Sequence, residues 1–159
     1  MVEFGKKLTH RKIDIWENFY LDYDGLKSIL TQAQDESCNA SHASALSTES
    51  KLHPVTLDFL THLRMELEKI ILFFLEEQGK IALALNQNRE DLWKAHEVVE
   101  YEMVYQHFQD TGLCLLRLVQ FLDLNLNGLR KIVKKHDKIM QANLSRSFWK
   151  GGKLASSKL

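Results

Sequence analysis

The stretch LDFLTHLRMELEKIILFFLEEQGKIALAL, residues 57–85, decides the fold class. Its apolar residues recur at steps of three and four, the period of an α-helix, and Pro54 stands where a first helical turn tolerates proline. The polar sequence NQNRED (86–91) predicts a turn, after which a second stretch of helical period begins. The residues predicted to form the apolar stripes are Leu57, Leu60, Leu67, Ile70, Ile71, Phe74, Ile81 and Leu85, then Leu92, Val99, Met103, Phe108, Leu115, Val119 and Leu122.

These two stretches predict an antiparallel hairpin of two helices, each of some 30 residues and about 45 Å long. Residues 12–34, with Trp16, Tyr20, Leu26 and Leu30 at helical spacing, predict one amphipathic helix or two. Residues 35–51 are small and polar, which predicts a disordered linker. Because strand-like alternation occurs nowhere, the predicted fold is all-α.

Composition narrows the function classes. The chain has 159 residues, one domain's worth, and its 21 basic and 21 acidic side chains argue against a generally basic nucleic-acid binder. Two cysteines without CxxC spacing favour a reducing compartment. The longest apolar run, IILFFL (70–75), is far shorter than the roughly 20 residues of a membrane span.

A local charge anomaly lies in LNLNGLRKIVKKHDKI, residues 124–139, where Gly128 is predicted to stand beside the opening of a final short helix. Four lysines at i, i+3, i+4 and i+7 share one arc of that helix: Lys131, Lys134, Lys135 and Lys138. The opposite arc is largely apolar: Leu129, Ile132, Val133, His136, Ile139 and Met140. Like charges at this spacing destabilise a helix. The stripe is therefore either a solvated face or an anion-binding surface, and the spacing leaves both open.

The N-terminal helix carries a second pair of donors. Lys27 follows Tyr23 by four residues and falls on the arc of the core stripe. A lysine there often extends its ammonium group past the edge of a core. A hydroxyl and an ammonium group one turn apart also suit a phosphate.

Three motifs in order resemble the SPX domain: MVEFGKKL (1–8), W-x3-Y-x2-Y-x2-LK (16–27) and NGLRKIVKKHDK (127–138). The resemblance covers residues 1–148 and leaves 149–159 as a tail. The stretch ELEKIILFFLEEQGKIA (66–82) looks most like the branch in which SPX precedes a major-facilitator transporter, as in vacuolar phosphate transporters.

The resemblance implies a short N-terminal helical hairpin packed on two long antiparallel helices and closed by short C-terminal helices. It implies a regulatory domain that senses phosphate status by binding inositol polyphosphates and inositol pyrophosphates. Tyr23, Lys27 and Lys135 would form the phosphate-binding cluster, Lys131, Lys134 and Lys138 the adjoining lysine surface, and Lys6 would contribute from the N-terminus.

It also implies a partner and a place in the cell. The chain would be the cytosolic part of a larger membrane protein, followed by a transporter domain, on the cytosolic face of the vacuole or another endomembrane. The chain departs from the family pattern at Val2 and Glu3, and in having HDK, with His136, where the family has FDK. We interpret His136 as a core residue.

Enzymatic readings are weaker. HEVVE (96–100) approaches the HExxH zinc motif but ends in Glu100, which favours a salt-bridging helix surface. Cys114, within LCLLRLV, is predicted to be inert core, and no catalytic residue, metal site or cofactor is expected.

The alternative function is a helical interaction module whose lysine face docks an acidic protein or an anionic membrane. Nucleic acid is a poor candidate because the basic patch is small and lacks interleaved exposed aromatics.

Overall fold

The computed structural model describes residues 11–39 and 54–146, and the side chains of 11–32 and 55–146. A 3-10 helix, Asp14–Phe19, is followed by α1 (Tyr23–Asn39), α2 (Pro54–Lys94) and α3 (Val98–Met140). These ranges contain helices and turns but no strand, so the predicted all-α class is confirmed.

The two long helices form the predicted antiparallel hairpin but exceed the predicted length. α2 has 41 residues and α3 has 43, which makes each about 60 Å long. The turn predicted at NQNRED (86–91) is wrong, because α2 continues through it to Lys94. Its polar side chains pair along the helix, from Asn86 Nδ2 to Glu90 at 3.2 Å and from Gln87 Nε2 to Asp91 at 2.8 Å, and neither glycine nor proline interrupts it.

The reversal of the chain occurs at residues 95–97, just before α3. Glu100 Oε2 accepts hydrogen bonds from the backbone N–H of Glu97 at 3.1 Å and of His96 at 2.7 Å, which completes a capping box at the start of α3. Glu100 therefore has a local structural role, in place of the salt-bridging surface expected from HEVVE.

Two further boundaries differ from the sequence prediction. Gly128 opens no separate helix, because α3 runs through it to Met140, where Gln141 adopts the left-handed conformation at φ 50°. The helix does not break because Gly128 is buried inside it and the flanking residues continue its apolar arc. α1 extends to Asn39, which overlaps the predicted 35–51 linker; the rest of that linker lies outside the described residues.

The core lies at the end of the hairpin where the N-terminal elements pack. Trp16 makes edge-on contacts with Phe73 at 5.3 Å and Phe121 at 5.9 Å between ring centroids. Tyr20 packs on Phe121 at 4.8 Å. These rings join the 3-10 helix to both long helices at once.

The predicted apolar stripes coincide only in part with this core. Ile70 and Ile81 are buried as expected, but eight stripe residues are exposed: Leu57, Ile71, Leu85, Leu92, Val99, Met103, Leu115 and Val119. The stripes were misplaced because both long helices carry apolar residues on more than one side. Which side is buried depends on the helix that packs there.

Away from the N-terminal elements the hairpin is held along a narrow seam between α2 and α3. Ile81, Val104 and Leu118 are buried in it, together with one polar pair, in which Asn88 Nδ2 donates to Thr111 Oγ1 at 3.0 Å. A buried polar pair between two helices favours the register that satisfies it.

Candidate functional site

The residues before α1 attach its first turn to both long helices. The N–H of Leu21, which is 1% exposed, donates to Asn125 Oδ1 of α3 at 2.8 Å. The next N–H, of Asp22, donates to Glu66 Oε2 of α2 at 2.7 Å. The start of α1 is thereby fixed relative to the hairpin. Sequence reasoning missed Asn125 and Glu66, although an asparagine among the apolar residues of LNLNG was a usable signal.

Local sequence explains why α1 begins where it does. Asp22 Oδ1 accepts a hydrogen bond from the N–H of Gly25 at 2.9 Å, the arrangement of an N-cap. A Cβ at position 25 would collide with the Asp22 carboxylate, so glycine suits the cap. The cap makes Tyr23 the first residue of α1 and puts Lys27 one turn later on the surface.

The last turns of α3 have the two faces that the sequence predicts. Leu129, Ile132, Val133 and His136 are buried, at 5% exposure or less. Three lysines of the opposite arc are exposed and the fourth is half-buried: Lys131, Lys134 and Lys138 are exposed, and Lys135 is half-buried.

Lys27 of α1 and Lys135 of α3 come together across the interface between those helices. The pKa of Lys135 lies below its ordinary value because burial disfavours its charge and because the Lys27 ammonium group repels it. Two ammonium groups from separate elements, close enough to repel, favour a shared anion between them.

Several lysines on α2 form ion pairs with carboxylates of the same helix. On α2, Lys69 lies 2.7 Å from Glu66, and Lys80 lies 2.7 Å from both Glu76 and Glu77. The ion pairs formed among the described residues include none with four members of the cluster: Lys27, Lys134, Lys135 and Lys138.

Tyr23 and Lys6 complete the predicted site residues. Tyr23 is half-buried against the core, and its pKa is raised by burial and by Asp24, so its hydroxyl remains protonated and able to donate at neutral pH. Lys6 lies outside the described residues. The structure thus brings Lys27 and Lys135 together and places the other described lysines on the same exposed arc of α3.

Asp137 holds the chain beyond α3 against the lysine-bearing end. Its carboxylate accepts the N–H of Leu144 at 2.8 Å and the N–H of Ser145 at 2.8 Å. Burial would raise the pKa of Asp137, but the hydrogen bonds from Ser145 and Leu144 outweigh it and lower that pKa. Asp137 is therefore engaged in folding back the C-terminal segment.

His136 is a core residue, as expected. It is 1% exposed, and its ring stacks on Phe59 with centroids 4.7 Å apart and planes 19° apart. Its Nδ1 faces Asp137 Oδ1 at 3.4 Å. The ring of His136 is thus packed between α2 and α3.

The competing chemical sites receive no support from the geometry. Cys114 is exposed, so its prediction as core is wrong; α3 turns the residue away from the seam with α2. Among residues 11–32 and 55–146, no three metal-binding side chains converge. A cleft of about 290 Å³ beside the 3-10 helix has mixed charge, with Lys12 and Lys69 facing Glu17, Asp22 and Asp24, and does not suit a polyanion.

The family is settled by comparison with known proteins. A sequence model of the SPX domain family matches residues 75–151. This chain belongs to the SPX domain family. An SPX domain-containing membrane protein of Oryza sativa subsp. japonica is 33% identical to it over 141 residues. One of Arabidopsis thaliana is 34% identical over 143 residues.

Both matches cover 87% of this chain and 19% of the relative, so the chain spans about a fifth of the length of these membrane proteins. Among the described helices of the present chain, none contains an apolar segment able to cross a bilayer.

The fold also matches a solved structure, the SPX domain of Chaetomium thermophilum glycerophosphodiester phosphodiesterase 1 in complex with inositol hexakisphosphate. The TM-score is 0.76 at 20% identity, and the match covers 99% of this chain and 85% of the other. The SPX assignment made from the three sequence motifs and the helical architecture it implied are both confirmed.

Proposed function

We propose that this SPX domain binds inositol polyphosphates, and inositol pyrophosphates in particular, on the cluster formed by α1 and the end of α3. The observation that carries the proposal is the convergence of Lys27 and Lys135, two like charges from different helices. Neither forms an ion pair with a carboxylate among the described residues. The related fold that holds inositol hexakisphosphate supports the ligand class.

The proposed roles follow from position. Lys27, Lys135 and the Tyr23 hydroxyl contact one phosphate of the ligand. The neighbouring phosphates of the inositol ring are bound by three exposed lysines: Lys131, Lys134 and Lys138. Lys6 is proposed as a further contact. Lysine suits an open surface of this kind because its ammonium group can donate hydrogen bonds to phosphates that approach from several directions, whereas the guanidinium group of arginine donates in one plane.

Binding would also change the energetics of the fold. Without ligand, the charge on Lys135 is opposed by burial and by Lys27. A polyanion that bridges the two ammonium groups removes that repulsion and couples α1 to α3. Ligand then favours the arrangement in which both helices are docked, and this population shift is the signal passed on.

We propose that the signal reports cellular phosphate status to a membrane-embedded transporter of the same polypeptide, with this domain on the cytosolic side of the vacuole or another endomembrane. Support comes from the relatives, which are membrane proteins about five times as long as the matched region.

The test is thermal unfolding with inositol hexakisphosphate against sulfate of matched ionic strength. Ligand at about 100 times its dissociation constant adds roughly 2.7 kcal/mol to the free energy of unfolding, a rise in Tm of roughly 5–10 °C. The site variant replaces Lys131, Lys134 and Lys135 by alanine. The control replaces three basic residues of α2 by alanine, Arg64, Lys80 and Lys94, and so removes the same number of positive charges as the site variant.

A rise in wild type and control that is absent in the site variant supports the proposal. Equal small rises in all three proteins would show that the lysine face is solvated or docks a macromolecule by charge alone. A docking face of that kind would not distinguish inositol hexakisphosphate from its pyrophosphorylated analogue, so a competition between these two ligands separates the alternatives.

A further inference from the structure

The hairpin has a second surface that the lysine cluster does not use. When two antiparallel helices are viewed from one end, successive residues turn clockwise around one helix and anticlockwise around the other. On both helices, the residues that directly follow those buried in the seam between α2 and α3 therefore face the same side of the hairpin. Phe73 and Phe121, which carry the N-terminal elements, lie on the other side of the seam. The surface therefore lies on the back of the hairpin, opposite those elements.

This surface is apolar and exposed. We call it the apolar back face, and it comprises Ile71, Leu75, Leu85 and Leu92 of α2 with Tyr101, Tyr105, Leu116 and Val119 of α3, each 42% to 59% exposed. They are separated by 4, 10 and 7 positions along α2 and by 4, 11 and 3 positions along α3, and each separation is a sum of threes and fours, as on one face of a helix in a bundle.

The α2 stripe of this face is interrupted by two exposed polar residues at helical spacing, Gln78 and Arg89. Its eight apolar side chains together expose on the order of 800 Å². A standard protein interface covers about 800 Å² on each partner. The apolar back face is thus large enough for a complete interface.

Gly112 lies in the middle of the α3 part of this face. A Cβ there would meet open space, so nothing within the described chain requires glycine, which destabilises a helix interior relative to alanine. A Cβ at Gly79 of α2 would also meet open space, but Gly79 points away from the face. A glycine in these helices is therefore not informative by itself, whereas the location of Gly112 on the face is. A missing side chain at the centre of an apolar face permits close approach of another helix.

We propose that a second copy of this domain covers the apolar back face, so that two hairpins form a four-helix bundle. A second hairpin presents the same stripes over the same length, which a two-fold interface requires. The formal net charge of zero leaves no long-range repulsion between identical copies. The dimer leaves the lysine cluster free, and this proposal does not rest on the proposed function.

The test is sedimentation equilibrium of the 159-residue chain over a concentration series, with two matched double variants. Leu85→Glu with Leu116→Glu places one carboxylate per helix on the apolar back face. Leu83→Glu with Leu113→Glu does the same on outward-facing positions that are 74% and 52% exposed. Circular dichroism checks that every protein is helical.

The expected result is a wild-type mass of twice 18.5 kDa that falls to the monomer value on dilution. The back-face variant should raise the dissociation constant at least about 100-fold, and the outward variant less than about threefold. A wild-type chain that stays monomeric overturns the proposal, as does equal dissociation of both variants. A monomer that sediments with anionic vesicles through this face would assign the face to a lipid surface instead, and also overturns it.

Discussion

Asn125 is the residue whose loss tests the architecture of the site most directly. Its Oδ1 accepts the N–H of Leu21 at 2.8 Å, and its Nδ2 donates to the carbonyl of Phe121 at 2.8 Å. The substitution Asn125→Leu keeps the size of the side chain and removes both hydrogen bonds. Leu21 is 1% exposed, so water cannot replace the lost acceptor.

The expected cost follows from that burial. Leaving one buried N–H without a partner costs about 1–3 kcal/mol, and the carbonyl of Phe121 keeps its helical hydrogen bond. We therefore expect Asn125→Leu to lower the free energy of unfolding by about 2 kcal/mol, which for a chain of this length is a fall in Tm of roughly 4–8 °C.

Urea denaturation followed by circular dichroism measures this change. The matched control is Asn127→Leu, two residues along, where the amide donates to Asp123 at 3.1 Å on the exposed surface. Loss of that contact should change stability by less than about 0.5 kcal/mol. If Asn125→Leu is as stable as Asn127→Leu, the link from Asn125 to Leu21 does not anchor α1 and the reasoning fails.

The remaining predictions concern the lysine cluster and the segment beyond α3. Lys135→Met should leave the unliganded domain as stable as wild type, because burial and Lys27 oppose its charge, yet weaken inositol hexakisphosphate binding about 10- to 150-fold in calorimetry; equal weakening by Lys94→Met at the far end of α2 would contradict this. Tyr23→Phe should weaken binding about two- to tenfold by loss of one donor, and unchanged affinity would remove Tyr23 from the site. Asp137→Asn should lower the stability at neutral pH by about 1–2 kcal/mol. Because the folded pKa of Asp137 lies below its ordinary 3.8, the wild-type advantage should be complete above that pH and vanish as the pH falls through the folded value; a difference that persists in strong acid would show that the Asp137 charge is not its source.

The sequence determined the parts of this protein that depend on local pattern. Helical period along residues 57–85 was enough for an all-α hairpin, because period reports the shape of each segment. The arc of Lys131, Lys134, Lys135 and Lys138 could be predicted for the same reason, since neighbours on one helix are fixed by spacing alone. The sequence motifs of the SPX domain added the family.

Only the tertiary structure decided which of several apolar sides of each long helix is buried. Ile71 and Val119 fit the helical period as well as Ile70 and Leu118, yet the first two are exposed and the second two form the core. One residue turns a helix by about 100°, so this choice rests on the packing of the partner helix and not on the period. The approach of Lys27 to Lys135 has the same origin, because residues over 100 positions apart become neighbours only through the anchoring of α1 by Asn125 and Glu66.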